Sequence, residues 1–259
     1  MDWFVELSPI LQGLIATLFT YSVTALGAAM VFLFKGFHQK ILDIMMGFAS
    51  GVMIAASFWS LLLPSIELCE SLSRSSILEP TLGFLFGGAF ILLSDFLLSK
   101  KTSLPDGKKK NLLISTAVTM HNIPEGMAVG VAFGSVALGI PGTSVMDAWV
   151  LALGIGIQNF PEGVCVSLPL RKSGMSRRKA FFYGQASGVV EPIAGVLGAL
   201  FALTVQNLLP ILLSFSAGAM IAVVASELIP DSFKDNKMIA SIGLLLGFIT
   251  MMILDVSLG

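Results

Sequence analysis

Eight stretches of this chain are apolar over roughly 20 residues each, the length a helix needs to cross the hydrocarbon core of a bilayer. They run at about 10–34, 44–63, 80–99, 112–136, 147–170, 179–203, 208–229 and 239–258 of the 259 residues. Only short connections are left between them. The runs are continuous, whereas a membrane β-barrel shows short segments of alternating polarity. Charged residues make up 12% of the chain, against about 25% in an ordinary soluble domain. That deficit excludes a soluble enzyme, a nucleic-acid binder and a disordered chain. The expected fold is an all-α integral membrane protein of eight transmembrane helices, one domain over 1–259. Cys69 and Cys165 supply neither a disulfide framework nor zinc-finger spacing. The acidic start Met1-Asp2-Trp3-Phe4 lacks the basic region that opens a signal peptide.

The basic residues fall on one side of this arrangement. Lys35, Lys40, Lys100, Lys101, Lys108, Lys109, Lys110, Arg171, Lys172, Arg177, Arg178, Lys179, Lys234 and Lys237 share one set of loops, and Arg74 stands alone on the other. Cytoplasmic loops carry the excess of Lys and Arg, so both termini are expected outside the cytoplasm. Removing any one span would scramble the asymmetry. The Lys-rich stretches read as positive-inside anchors in the lipid bilayer rather than as dedicated lipid sites.

The two ends of the chain resemble each other. Gly83, Gly87 and Asp95 of span 3 match Gly243, Gly247 and Asp255 of span 8 at one constant offset. Phe48-Ala49-Ser50-Gly51-Val52-Met53-Ile54-Ala55 of span 2 matches Phe215-Ser216-Ala217-Gly218-Ala219-Met220-Ile221-Ala222 of span 7. Spans 2 and 7 cross in opposite directions, as do 3 and 8, which makes an inverted repeat of the kind found in secondary transporters. One repeat covers about 10–99 and the other about 179–258, with spans 4 and 5 (about 112–170) between them.

Those central spans carry one hexapeptide pattern twice: His121-Asn122-Ile123-Pro124-Glu125-Gly126 and Gln158-Asn159-Phe160-Pro161-Glu162-Gly163. His121 and Glu125 stand four apart and share a helical face, as do Gln158 and Glu162, with Asn122 and Asn159 bordering it. Each proline removes a backbone donor, leaving the carbonyls of Met120 and Ile157 open. Glu125, Glu162, Glu191 and Glu227 all lie within spans, and no Lys or Arg lies in a span interior. Charge in the membrane is expensive and needs a partner, so these carboxylates are either protonated or neutralised by a cationic substrate. Oxygen and amide donors with one imidazole suit a divalent metal such as zinc, iron(II), manganese or cadmium.

The paired motifs, the eight spans and the outside termini resemble the ZIP (Zrt-/Irt-like protein) family of divalent metal transporters, and most of all its GufA-like branch. The resemblance implies a two-metal site between spans 4 and 5. One ion would be held by His121, Glu125, Gln158 and Glu162, with Met53 of span 2 approaching. The other would be held by Asn122, Glu125, Asn159, Glu162 and Glu191, the two motif glutamates bridging. The chain departs from the family pattern at Gln158, where many members have His, and at Asn159, where some have an acid. Ser226 replaces a His that often precedes the counterpart of Glu227, and a His-rich loop is absent.

Several residues have competing readings. Glu191-Pro192 is a ligand or a kink carboxylate bonded to a neighbouring helix, and Met53 a soft ligand or one of 13 methionines filling the interior. Glu227, with Asp231 after it, is a candidate exit site. Asp95 and Asp255 read as packing hydrogen-bonders and Cys165 as packing. His38 reads as a surface residue, and Glu67, Glu70 and Glu79 as a solvated loop.

The expected function is transport of divalent metal ions, zinc foremost, toward the cytoplasm by alternating access. The metal, as many as two ions, is substrate and not cofactor. A metal-selective channel is the alternative. A metalloenzyme is remote, because H-E-x-x-H is absent, and nothing in the motif recognises an organic solute. The expected setting is a bacterial inner membrane, without nucleic-acid partners. A homodimer stays open.

Overall fold

A computed structural model describes residues 2–34, 38–101, 106–139, 143–172 and 174–258. The described residues are helical throughout, without strands. After a short turn of helix (Asp2–Val5) come eight long elements. They are α1 (Pro9–Leu33), α2 (Gln39–Ser71), α3 (Leu78–Lys101), α4 (Asp106–Ala137), α5 (Val145–Lys172), α6 (Arg177–Thr204), α7 (Leu209–Ser232) and α8 (Lys237–Leu258). Seven of them, all but α4, are long and apolar enough to cross a membrane by length and composition among the described residues. Lys100, Lys101, Lys108, Lys109, Lys110 and Lys172 have side chains outside the described residues, and Lys35 lies outside them entirely.

Local chemistry sets the helix ends. Ser8 precedes Pro9 and accepts from Leu11 N at 3.4 Å, with proline at a position where the missing donor costs nothing. Ser144 and Asp147 form a reciprocal capping box at the start of α5, Asp147 N donating to Ser144 Oγ at 3.1 Å and Ser144 N to Asp147 Oδ2 at 2.6 Å. Asn236 caps α8 through Ile239 N at 3.2 Å.

The helices overrun the apolar runs. α2 spans 33 residues where hydropathy marks 44–63, because Gln39–Asp43 and Leu63–Ser71 continue the helix past the apolar core. Glu67 and Glu70, read from sequence as loop, therefore sit on the last turns of α2, and Glu79 opens α3. Glu79 is held by the one basic residue of its side: Arg74 Nε donates to Oε1 at 2.8 Å and its NH2 meets Oε2 at 2.6 Å.

Three elements are interrupted. α2 widens to a π turn at Ser57–Leu62 and α7 at Val224–Leu228, just before Pro64 and Pro230. A proline blocks the ordinary hydrogen bond one turn back, and a π turn absorbs the misfit. α6 tightens to a 3₁₀ turn at Ser187–Val189, immediately before Glu191 and Pro192.

The helices pair most closely as α2 with α8, α3 with α7, α1 with α5 and α4 with α6. Small residues allow the close approach, as they do where lipid surrounds a bundle and contact must come from packing. A Cβ at Gly243 would strike the carbonyl of Ile44, and one at Gly247 that of Phe48. On the other side Gly83 faces Ile211 and Gly87 faces Phe215 in the same way, while Gly51 meets Leu244 and Gly218 meets Phe84. α5 lies at the centre, with 72% of its apolar window buried, and α3 and α8 lie at the periphery with 22% each. Leu85, Phe86, Leu93 and Phe96 of α3 and Leu245, Ile249 and Ile253 of α8 are exposed, a surface a soluble monomer avoids.

Candidate metal site between α4 and α5

α4 and α5 cross at the middle of the bundle, and both motif prolines lie inside continuous helix. The motif glycines set how near the neighbours come. A Cβ at Gly126 would collide with the backbone of Glu191 on α6, and one at Gly163 with that of Thr24 on α1. The hexapeptide thus ends in glycine because each central helix is pressed against an outer partner one residue past its glutamate.

Asn122, Glu125, Gln158, Asn159 and Glu191 are each at most 1% exposed. Gln158 Nε2 donates to Glu125 Oε1 at 2.5 Å across the two motifs. Asn159 Nδ2 donates to Glu191 Oε2 at 2.9 Å and to the Thr20 carbonyl at 3.3 Å. The Asn122 amide lies beside the Glu162 carboxylate without completing a hydrogen bond. Glu125, Glu162 and Glu191 are close enough for each to feel the charge of another.

Several buried polar atoms here have no hydrogen-bond partner among the described residues: both ends of the Asn122 amide, Glu125 Oε2, Gln158 Oε1, Asn159 Oδ1 and Glu162 Oε1. A buried polar atom without a partner costs about 1–3 kcal/mol, and native structures hold few of them. Six in two hexapeptides is a concentration that structure alone does not repay. Five of the six are oxygens. Oxygen-rich, partly anionic donor sets fit a divalent cation.

Glu191 differs from the two motif glutamates. Its Oε2 accepts from Thr20 Oγ1 and from Asn159, and its Oε1 accepts from Thr24 Oγ1 at 3.3 Å. Thr20 and Thr24 of α1 are fully buried, and sequence reasoning missed both. A signal was present: Thr17, Thr20 and Thr24 recur at helical spacing along an otherwise apolar run.

The remaining sequence candidates are dispersed. His121 lies one turn before Glu125 on α4, and its side chain is outside the described residues. Met53 is 2% exposed and belongs, with its repeat partner Met220, to the large apolar cluster around Ala128, Leu151 and Ile155. Glu227 is half-buried in the π turn of α7, which packs against α2. Asp255 Oδ1 accepts from Ser60 Oγ at 2.6 Å, joining α8 to α2. It borders a cavity of about 210 Å³ that Glu67, Ser135 and Asp147 also line, at the end of the bundle where the termini lie. Among the described residues no three His, Cys, Asp or Glu side chains meet tightly enough to form a metal site by themselves. The central set is instead a mixture of carboxylates and amides.

The chain is also similar in sequence to known proteins. A family model described as ZIP Zinc transporter matches residues 100–255. The chain is 38% identical to zinc transporter ZIP11 of Homo sapiens, over 97% of this chain and 98% of that protein. It is 36% identical to zinc transporter GufA of Myxococcus xanthus, over 95% and 99%. With zinc transporter ZIPB of Bordetella bronchiseptica it shares 33% identity, over 92% of this chain and 79% of that one. On the extent of these matches and the paired central motifs, the chain belongs to the ZIP family.

Proposed function

We propose that this protein carries divalent metal ions, zinc foremost and cadmium, iron(II) or manganese as related substrates, across a membrane toward the cytoplasm. The observation that carries the proposal is the set of buried oxygens on Asn122, Glu125, Gln158, Asn159 and Glu162 that lack a hydrogen-bond partner among the described residues, all on two neighbouring helices. A dehydrated divalent ion satisfies them at once and offsets the carboxylate charge. Relatives named as zinc transporters support zinc, and transport rather than catalysis.

The tighter ion is the one assigned to His121, Glu125, Gln158 and Glu162, and the second is the one assigned to Asn122, Glu125, Asn159, Glu162 and Glu191. A second ion on the Asn159 side would have to draw Glu191 away from Thr20 and Thr24, so that site is weaker. Glu227 serves the ion after it leaves, and Met53 lines the path from α2.

Two features support an eight-span inverted repeat with α4 as the eighth span. The glycine contacts of α8 on α2 reappear in α3 on α7 at matching positions, and both π turns precede a proline. The closest pairings divide the bundle into α1, α4, α5 and α6 against α2, α3, α7 and α8. That division suits alternating access, the first group carrying the ion past the second. The positive-inside rule, applied to Lys40, Arg171, Arg177, Arg178, Lys179, Lys234 and Lys237, supports a cytoplasmic side at their end, with both termini outside and a bacterial inner membrane as the setting.

The test is metal uptake into proteoliposomes, with zinc, cadmium, iron(II) and manganese in competition. Saturable uptake should disappear in folded Glu125→Ala and Glu162→Ala proteins. Equal flux in all three proteins would overturn the proposal, and near-diffusive flux that does not saturate would make the protein a channel.

A further inference from the structure

The two motif helices touch each other less than either touches its own partner. α4 is closed onto α6, and α5 onto α1. Glycines make both seams: Gly130 of α4 stands against the Gly195 carbonyl of α6, and Gly27 of α1 against the Phe160 carbonyl of α5. No described glycine of α4 or α5 meets the other helix in this way. A site built from both motifs draws donors from both helices, so the separation of α4 and α5 decides its size. At mid-helix the hydrogen bond from Gln158 to Glu125 spans the gap.

At the outer end the connection is aromatic. Phe4, on the short turn ahead of α1, is 3% exposed, and its ring lies 5.6 Å from that of Phe133 on α4 and 5.2 Å from that of Trp149 on α5. The rings of Phe133 and Trp149 are 6.0 Å apart and nearly perpendicular. All three spacings fall in the attractive range of about 4.5–7 Å for ring pairs. Gln12 of α1 holds the turn in place, its buried Nε2 donating to the Phe4 carbonyl at 3.0 Å and to the Val5 carbonyl at 3.3 Å. The residues next to the two helix-borne rings, Ala132 and Ala148, line the outer cavity described above. The outer ends of α4 and α5 therefore border open space, and Phe4 supplies a solid contact that bridges them.

We propose that Phe4 is a positioning residue for the metal site: wedged between Phe133 and Trp149, it sets the separation of α4 and α5 and, through it, the size of ion their donors fit. This rests on the metal-transport reading above. Phe133 stands eight residues beyond Glu125, and Trp149 nine before Gln158. Those intervals are about 12 and 14 Å along helices that rise about 1.5 Å per residue. Both stretches are continuous α-helix, so a change of spacing at the rings reaches the donors. Phe4 lies at least two turns from the paired motif and acts only through the two helices. Zinc takes oxygen ligands at about 2.0–2.2 Å, and cadmium is the larger ion, so a cage that opens loses zinc before cadmium.

The experiment is equilibrium dialysis of purified full-length protein against zinc and against cadmium, with thermal unfolding in detergent on the same samples. It compares wild type, Phe4→Leu, Phe4→Ala and Gln12→Ala. Groups that orient metal ligands are worth about 10–100-fold in affinity, and Phe4→Ala should weaken zinc by about tenfold and cadmium by much less. Phe4→Leu, which keeps an apolar wedge, should retain most of the wild-type ratio of the two affinities. Gln12→Ala leaves the rings intact but frees the turn, and should shift the ratio in the same direction as Phe4→Ala. A lower unfolding temperature with an unchanged ratio would make Phe4 a packing residue alone and overturn the proposal, as would equal loss of both ions. Should Phe4→Ala fail to fold, Gln12→Ala decides the matter by the same ratio. A wild type that binds neither ion would overturn the transport reading, and this one with it.

Discussion

Gln158 Nε2 meets Glu125 Oε1 at 2.5 Å, tying the first position of one motif to the fifth position of the other. One Glu125 oxygen is thereby fixed and the other has no partner among the described residues, so the carboxylate is aimed before any ion arrives. Partners that orient a metal-binding side chain are typically worth about 10–100-fold in affinity. Gln158→Ala should weaken zinc binding by that order and leave the protein folded, as read by equilibrium dialysis. Unchanged affinity would mean that the amide neither orients Glu125 nor meets the ion.

Gln158→His should act in the opposite sense. Imidazole is a stronger ligand for zinc than an amide oxygen, and manganese gains less from it. In competitive uptake, zinc should displace manganese more effectively from the His variant than from wild type. An unaltered preference would place this position outside the ion's reach.

Glu191 takes both hydroxyls offered by α1, Thr20 on Oε2 and Thr24 on Oε1. Hydrogen bonds to charged groups contribute about 1.5–3 kcal/mol. Valine keeps the shape of threonine and removes the hydroxyl, so Thr20→Val should destabilise the protein by about that amount. Thr24→Val should cost less, its bond being the longer at 3.3 Å. Thermal unfolding in detergent gives the cost. Because freeing Glu191 makes it available to metal, Thr20→Val should also strengthen the weaker of two zinc-binding steps. A loss of stability without any change in binding would make the Thr20–Glu191 pair purely a packing link.

Much of this was legible in the sequence because membrane chemistry is restrictive. Apolar length marks the seven helices long and apolar enough to span, and a carboxylate repeated beside proline in mid-helix marks the candidate site, since a buried charge is not tolerated in a membrane without cause. What sequence did not mark was pairing. Glu125, Glu162 and Glu191 look alike along the chain, yet Glu191 is hydrogen-bonded from three directions while Glu125 and Glu162 keep open oxygens. That difference depends on which face of α1 meets α6, and hydropathy does not encode it. The π turns were hidden for another reason: Pro64 and Pro230 lie beyond the most apolar part of their spans, where a proline looks like a helix end.

Substrate should stabilise the fold. An ion that binds only the folded state adds RT ln(1 + [L]/Kd), about 2.7 kcal/mol at a hundredfold excess over Kd. Zinc should raise the unfolding temperature of the wild type, and Glu162→Gln should remove most of the increase. A shift of equal size in both proteins would assign it to zinc bound elsewhere.

The glycine contacts make the inverted repeat testable by stability alone. Gly87 stands against the Phe215 carbonyl and Gly247 against the Phe48 carbonyl, and in each case a Cβ would fall on backbone that cannot turn aside. Overpacking of this kind costs about 1–3 kcal/mol. Gly87→Ala and Gly247→Ala should therefore lower the unfolding temperature by similar amounts, although 160 residues separate them in the chain. Gly88 provides the control, because its nearest neighbour would lie 3.6 Å from an added Cβ. Gly88→Ala should be neutral or slightly stabilising, since alanine has the better helix propensity. If Gly87→Ala is costly and Gly247→Ala is not, the two halves pack by different rules, and the resemblance between spans 3 and 8 carries no structural symmetry. Equal costs with a silent control would mean that one helix-packing interface is used twice, once in each direction across the membrane.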